Sequence, residues 1–216
     1  MNVGVHARRH SASASLPSAK PHWLRCLRLR ATVALFARKR APTAALLLLT
    51  TALHADYQDG LDAYSYGDYA TAMKEWRAVT NGPATAVSPP IYIEAHYAVA
   101  MLYWQGQGVA VDFRQAYAWL LKAADMGHAG AQAKLGFLYT DGKAVARDHQ
   151  QAFEWFSKAA KGGNVDGLYN LGIFYLLTGQ LERVPEVQER LQALSPLLAR
   201  RFAERLARSR AAPPAP

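Results

Sequence analysis

The sequence predicts an all-α protein, built as a right-handed superhelix of α-helical hairpins with capping helices at the C-terminal end. Two observations predict this fold class. Two adjacent stretches, starting at Ala95 and Ala131, align without a gap. A third copy starts on the same 36-residue schedule at Gly167, and it places Tyr175 where Tyr139 stood. A fixed period in this range is typical of stacked supersecondary units, each of which buries one face against the next.

Each repeat is predicted to be a pair of helices. In the second copy Ala131, Leu135 and Tyr139 recur every four residues, as one face of a helix does. Asp148 then stands where an N-cap belongs, and Gly163 supplies the conformational freedom that ends the second helix. The second helix carries an apolar stripe made of Ala152, Trp155, Phe156, Ala159 and Ala160.

This pattern resembles the Sel1-like repeat family, a relative of the tetratricopeptide repeats. The family signature is roughly A-x-x-x-L-G-x-x-Y-x-x-G-x-G-V-x-x-D-x-x-x-A-x-x-W-x-x-K-A-A-x-x-G. The second copy departs from this signature at Ala144, where the family usually has Gly. The first copy has Val99 and Ala100 in place of the Leu-Gly pair. The resemblance implies a scaffold for binding and says little about the particular function. The matching residues of the second copy are Leu135, Gly136, Tyr139, Gly142, Val145, Asp148, Ala152, Trp155, Lys158, Ala159, Ala160 and Gly163.

Composition changes along the chain predict where its segments begin and end. In the divergent first repeat Gly67-Asp68 separates two short helices, and the three prolines that follow favour an exposed loop. The segments predicted are a presequence ending in a signal peptide (1–55), a divergent first repeat (56–80), a Pro-rich loop (81–90), Sel1-like repeats (91–178), capping helices (179–209) and a disordered tail (210–216).

The first 55 residues have the order of a secretory signal peptide. They contain no Asp or Glu but nine of the 25 Lys and Arg residues. The basic segment 38–40 precedes an apolar run from Ala44 to Leu53, which is too short to span a bilayer. A small residue, Ala55, then precedes the polar chain, so we predict cleavage near Ala55 and a periplasmic or secreted location. The residues upstream of the run are explained by a start site assigned too far upstream, or by a mitochondrial presequence, which is the alternative location.

Charge and cysteine content exclude several classes of function. The net charge of +9 belongs wholly to the presequence, because 16 basic and 16 acidic residues remain after position 55. This balance removes the main argument for nucleic-acid binding. The only cysteine, Cys26, precedes the apolar run, so we expect no disulfide, no thiol chemistry and no lipid anchor. The predicted partner is a protein or peptide, and the chain is predicted to be a monomer.

The sequence contains no motif for a metal, a nucleotide or a hydrolase nucleophile. No cofactor and no metal is therefore predicted, and the chain is predicted not to be an enzyme. His128 and His149 are expected to be solvent-exposed at the ends of helices, where they converge with no other group. Two alternatives stay open: a cell-wall or β-lactam hydrolase on a Sel1-like scaffold, and a mitochondrial assembly factor. The first is disfavoured because the mature chain has few serines, none beside a histidine in sequence, and no cysteine to serve as a nucleophile.

The predicted site is an aromatic groove along the first helices of the repeats. Tyr97, Met101 and Trp104 form a stripe separate from the predicted core, and Trp104 has Thr140 as its equivalent, so the fold does not require a Trp there. In tetratricopeptide-like superhelices this face lines the concave groove, which suits an extended peptide or a partner helix. We therefore expect a non-catalytic adaptor of a Gram-negative cell envelope. The predicted binding residues are Glu94, Tyr97, Met101, Trp104, Gln105, Phe137, Asp141, Tyr169 and Ile173.

Other aromatic and apolar residues are assigned to packing. Trp76, Trp119 and Trp155 fall within the stripes of second helices and are predicted to be core. The last helix, from Pro196, carries a stripe that includes Phe202 and several arginines, which favours a cap over the final repeat. Two alternatives are left: as a basic amphipathic helix it touches an anionic membrane or a partner, or the C-terminal helices fold back and fill the groove.

Overall fold

Successive α-helices joined by short connections make up the chain. The computed structural model describes the backbone of residues 42–211 and the side chains of residues 49–209, and within this range it contains no strand, which confirms the all-α fold class. The presequence up to residue 41 and the tail residues 212–216 lie outside the described residues. The helices are α1 (Pro42–Ser65), α2 (Tyr69–Asn81), α3 (Pro89–Gln105), α4 (Phe113–Asp125), α5 (Ala129–Asp141), α6 (His149–Lys161), α7 (Val165–Leu177), α8 (Val184–Leu194) and α9 (Pro196–Ala211), with 3-10 turns at Ala84–Ala86 and Leu181–Arg183.

The repeated tyrosines hold matching places in successive hairpins. The backbone amide of Asp112 donates to the carbonyl of Tyr103 at 3.0 Å, and the amide of Asp148 donates to the carbonyl of Tyr139 at the same distance. In the third copy the carbonyl of Tyr175 accepts instead from the amide of Gln180 at 2.9 Å, five residues on rather than nine, because the repeat pattern stops after Tyr175. Each of these bonds ties the connecting loop to the end of the first helix. The 36-residue period of the sequence is therefore a period of the structure.

A ring pair repeats between neighbouring layers in the same way. Tyr117 on α4 meets Tyr139 edge-to-face with ring centroids 6.1 Å apart, and one period later Phe153 on α6 meets Tyr175 at 6.1 Å. In the first pair the two hydroxyl oxygens are also 2.9 Å apart and share a hydrogen bond. Burial and this bond raise the pKa of Tyr117 to about 12. The second helix of each hairpin thus packs on the first helix of the next.

Helix ends are fixed by side chains that accept backbone hydrogen bonds. Asp148 is the N-cap of α6 and accepts from the amide of Gln151 at 3.0 Å, and Asp112 caps α4 in the same manner. Gly142 ends α5 with φ +71°, in the left-handed region that other residues rarely adopt. The predicted core tryptophans are also confirmed: Trp76 and Trp155 are buried, and Trp119 is half-buried beside His96.

The first hairpin differs from the prediction at its start. Helix α1 is continuous from Pro42 through Ala55 to Ser65, whereas the sequence pattern began the first repeat at residue 56. Leu53, placed in the signal peptide by its sequence, is buried in a cluster with Val79, Ala86, Val87 and Ala95. The loop at 81–90 was expected to be exposed throughout, but this was wrong for Ala86 and Val87, because the 3-10 turn points both side chains into that cluster.

The C-terminal helices pack on the last repeat. The apolar stripe of α9, which includes Ala199, Phe202 and Leu206, is buried in a cluster with Leu171 of α7 and Leu191 of α8. Because this stripe faces inward, contact between α9 and a membrane through its apolar face would require the helix to undock. No helix in the described residues combines the length and the apolar content needed to cross a membrane.

Candidate partner-binding groove

The predicted binding residues lie on the first helices of three successive hairpins, α3, α5 and α7. The apolar members are half-buried, so each ring or chain is supported on one side and open on the other. The polar members Glu94, Gln105 and Asp141 are exposed. We call this set the first-helix face. It consists of Glu94, Tyr97, Met101, Trp104, Gln105, Phe137, Asp141, Tyr169 and Ile173.

At its N-terminal end the face contains a compact group built around His128. The ring of Tyr97 stacks on the imidazole of His128 with centroids 4.2 Å apart and an interplanar angle of 24°. Nε2 of His128 lies 3.1 Å from a carboxylate oxygen of Glu94. Burial raises the pKa of the Tyr97 hydroxyl, and the nearby carboxylates of Glu94 and Asp166 raise it further. The hydroxyl therefore stays protonated and can donate a hydrogen bond.

His128 was expected to be solvent-exposed, and this was wrong. Its side chain is 14% exposed, because it caps α5: Nδ1 accepts a hydrogen bond from the amide of Ala131 at 2.9 Å. One repeat later Asn164 does the same for α7 by accepting from the amide of Gly167 at 2.8 Å. An accepting Nδ1 places the imidazole proton on Nε2, which then donates to Glu94. His149 is exposed, as predicted.

In the centre of the face, Trp104 has structural partners that the sequence did not reveal. Its ring meets Phe113 of α4 edge-to-face at 5.3 Å. The equivalents of this pair in the next repeat, Thr140 and His149, are both polar. Trp104 was assigned to binding because its equivalent is Thr140, but packing against Phe113 gives it a role in the hairpin as well. The Trp104 side chain is nevertheless only partly buried.

Lys134 joins the aromatic residues of two hairpins. Its ammonium nitrogen lies 5.0 Å from the ring centre of Trp104 on α3 and 5.9 Å from that of Phe137 on its own helix. Both distances are within the range of cation–π attraction. Phe137 in turn meets Phe156 of α6 edge-to-face at 5.5 Å. Sequence analysis did not include Lys134 among the site residues, because the contact joins residues that are far apart in the chain.

Tyr169 and Ile173 are engaged by the capping helices. The ring of Tyr169 meets Phe202 of α9 edge-to-face at 6.0 Å, and both residues pack against the C-terminal cluster. A Cβ atom at Gly172, one turn away, would approach Phe202 to 2.6 Å, so α9 lies directly against α7. Contact between α9 and the end of the first-helix face is therefore observed, while contact of this helix with a membrane stays a prediction. The remaining part of the face, on α3 and α5, is the better candidate for a partner.

The polar rim is largely paired within the chain. Asp141 forms an ion pair with Lys143 at 2.9 Å, and the Lys143 ammonium also lies 5.4 Å from the Phe113 ring. Glu94 is paired with His128, as described above. Among residues 49–209 no group of three His, Cys, Asp or Glu side chains is arranged to hold a metal ion.

A cavity of about 610 Å³ lies away from this face, beside α1. Its lining includes the hydroxyl residues Thr50, Thr85 and Ser88 and the imidazole of His54. Sequence reasoning missed it because residues 50–54 were assigned to a segment that is removed. The cavity exists only while that segment is retained.

Comparisons with known proteins agree with the fold. The family model described as "Sel1 repeat" matches residues 93–128, 129–164 and 165–190. The third match includes most of α8, which the sequence pattern had placed among the capping helices. No curated protein matches the chain.

Two solved structures are similar to this chain. A Sel1 repeat protein from Oxalobacter formigenes is 29% identical, with 52% of this chain and 88% of that chain covered and a TM-score of 0.45. A protective antigen present in uropathogenic Escherichia coli strains, which displays an SLR fold, is 22% identical, with 83% of this chain covered and a TM-score of 0.50. The match spans only 40% of the antigen's length. Residues 93–190 of this chain are therefore built of Sel1 repeats.

Proposed function

We propose that this chain is a non-catalytic adaptor that holds a segment of a partner protein, an extended peptide or a helix, against the first-helix face of α3 and α5. Sel1-repeat proteins are generally scaffolds for protein–protein interaction. The observation that carries the proposal is the contact of Lys134 with both Trp104 and Phe137. It makes the half-buried rings of two hairpins one continuous surface rather than separate patches.

The chemistry of this surface suits binding rather than catalysis. Half-buried aromatic rings held by neighbours offer large contact area with little loss of side-chain freedom, and such residues dominate the energetics of protein interfaces. Exposed polar residues at the rim, such as Gln105, supply hydrogen bonds around an apolar centre. A hydrolase would need a nucleophile beside a base, and no such pair lies on this face.

We further propose that the chain is exported to the periplasm and acts in the cell envelope. Support comes from the order of basic segment, apolar run and small residue that ends at Ala55, and from the lack of cysteine after that position.

Site-specific photocrosslinking in cells tests the groove. A photoreactive amino acid at Gln105, on the rim, should give a discrete adduct with a partner protein, because the face is occupied in the complex. The same amino acid at Ala118, exposed on the second helix α4, is the matched control and should give none. Adding Phe137→Ala should remove most of the adduct, since a buried aromatic anchor in an interface contributes about 2 kcal/mol or more.

Circular dichroism of the purified variants establishes that the fold is kept. Equal adducts at Gln105 and Ala118, or an adduct that survives both Trp104→Ala and Phe137→Ala in folded protein, would show that the partner binds elsewhere.

A further inference from the structure

The partner's chemistry can be narrowed from the charges on the first-helix face. Its two acidic residues already have partners, because Glu94 bonds to His128 and Asp141 pairs with Lys143. Lys134 differs from them. Within the described part of the chain no carboxylate lies within ion-pair distance of its ammonium group, which is held only by the rings of Trp104 and Phe137.

Lys134 also has no counterpart in the other repeats. The equivalent positions are Ala98 on α3 and Asn170 on α7, so the stacking of hairpins does not require a cation there. Two other lysines, Lys122 and Lys158, lie over tryptophans, but each contacts a ring three residues earlier on its own second helix. Lys143 also reaches a ring of the preceding hairpin, Phe113, but it is paired with Asp141, whereas Lys134 reaches Trp104 without a carboxylate partner.

An ammonium group without a carboxylate, carried by a half-buried lysine, is electrostatically complementary to an acidic group on a ligand. The ion pair would form beside two rings that exclude water, where it is screened less than on an open surface. The face continues on both sides of Lys134, toward Tyr97 on α3 and toward Phe137 on α5. A bound chain passing over it therefore has residues before and after the acid, which favours an internal side chain over a terminal carboxylate.

Resting on the function proposed above, we infer that Lys134 selects a partner segment in which an internal glutamate or aspartate is flanked by bulky apolar residues. The carboxylate pairs with the Lys134 ammonium, and the flanking apolar side chains pack on Trp104 and Phe137. The acid of the partner thus sets the register of the segment along the face.

The probe for this inference is a displayed library of short random peptides, selected on the purified protein. Wild type should enrich peptides with one acid between apolar residues. Lys134→Glu should lose this preference and enrich Lys or Arg at the same place. Lys158→Glu, the matched control on the second helix, should select the same peptides as wild type.

One enriched peptide, made synthetically, gives the quantitative test. Changing its acid to the amide, or changing Lys134→Gln in the protein, should each raise the Kd by about tenfold, as expected for a partly desolvated ion pair. The two changes together should be no worse than either alone, which identifies them as partners. Amidating the C-terminus of the peptide should have no effect; a loss on amidation would assign the carboxylate to a chain terminus and overturn the inference.

The outcomes separate this inference from the broader proposal. Peptides that depend on Phe137 but show no preference for an acid would leave the groove in place and overturn the role of Lys134. Failure to enrich any peptide whose binding depends on Trp104 or Phe137 would overturn both. Thermal unfolding of each variant establishes that it is folded.

Discussion

His96 shows how one buried side chain couples the fold to pH. It is 3% exposed, and its ring lies between Tyr92 and Trp119. Its Nδ1 is 2.8 Å from the carbonyl of Tyr92 and donates to it. Burial lowers the pKa of His96, with a smaller contribution from the Lys122 ammonium, while the bond to Tyr92 opposes the shift. The folded protein therefore favours the neutral imidazole.

The consequence is a loss of stability at mildly acidic pH. The unfolded chain takes up a proton on His96 near its ordinary pKa of about 6.5, and the folded chain resists it. The free energy of unfolding is therefore unaffected by His96 above about pH 6.5. Below that pH it decreases, by at most about 1.4 kcal/mol per pH unit. We expect His96→Gln to remove this dependence, because the next repeat already has a buried glutamine, Gln132, at the equivalent place.

Denaturant unfolding at several pH values between about 7.5 and 5 measures this effect. The free energies of unfolding of wild type and His96→Gln should converge or cross as the pH falls. His149→Gln, which changes an exposed histidine, is the control and should run parallel to wild type. A constant difference between wild type and His96→Gln at every pH would contradict the prediction.

Single residues also show where prediction from sequence ended. The N-cap at Asp148 and the core position of Trp155 were predicted, because both follow from local pattern. The cap by His128 was missed because histidine is not a usual N-cap. Its equivalent one repeat later, Asn164, is a usual one and was the signal that could have revealed it. The pairing of Trp104 with Phe113 was missed for another reason: it depends on how the loop between α3 and α4 folds, which periodicity does not contain.

At the scale of helices, the spacing of α5 and α6 depends on a matched pair of sizes. A Cβ atom at Gly136 would approach Phe156 to 2.6 Å, which is too close for any real contact. In the preceding repeat the equivalent residues are Ala100 and Leu120, which belong to one buried cluster. Glycine therefore faces the larger side chain, Phe156, in one repeat, and alanine faces the smaller one, Leu120, in the other.

We therefore expect Gly136→Ala to destabilise the protein by about 1–2 kcal/mol, because overpacking outweighs the helix propensity that alanine adds. Adding Phe156→Leu, which recreates the pair of the preceding repeat, should cost less than the sum of the single changes by about 1 kcal/mol. Denaturant unfolding of the two single variants and the double variant measures this coupling. Strict additivity would mean that the two side chains do not compete for space.

Helices and their order were predictable, and connections were less so. The period fixed the hairpins from α3 to α7, because each element repeats its own local signals. The loop at 81–90 occurs once and has no second copy to compare, so its buried Ala86 and Val87 could not be recognised. The approach of α9 to Tyr169 depends on long-range packing of a segment outside the repeat pattern.

At the scale of the whole molecule, the start of the mature chain decides which contacts of the first hairpin remain. Leu53 packs against Val79 and lies 2.7 Å from the place of a Cβ at Gly82. If this contact persisted in the working protein, Leu53→Ala would cost about 2–5 kcal/mol. If export removes residues up to Ala55, the same change cannot affect the mature protein, and alanine suits the third position before the cleavage site.

We expect that export removes the residues up to Ala55. Mass spectrometry of the protein recovered from the periplasm should give a chain starting at Asp56, and Leu53→Ala should yield the same mass and the same Tm. Val79→Ala, which changes a buried residue on the retained side of the cluster, should lower the Tm in the same assay. A drop in Tm for Leu53→Ala, or a longer mature chain, would show that the first helix is kept whole.

The seating of Phe202 against Gly172 has a consequence for assembly. A tandem array exposes an adhesive surface wherever its stacking stops, and copies could then join head to tail into filaments. Here α9 covers α7 and α8 with its apolar stripe, including Phe202, and its arginines are exposed to solvent. Stacking of a second copy on α7 and α8 would therefore require α9 to undock first.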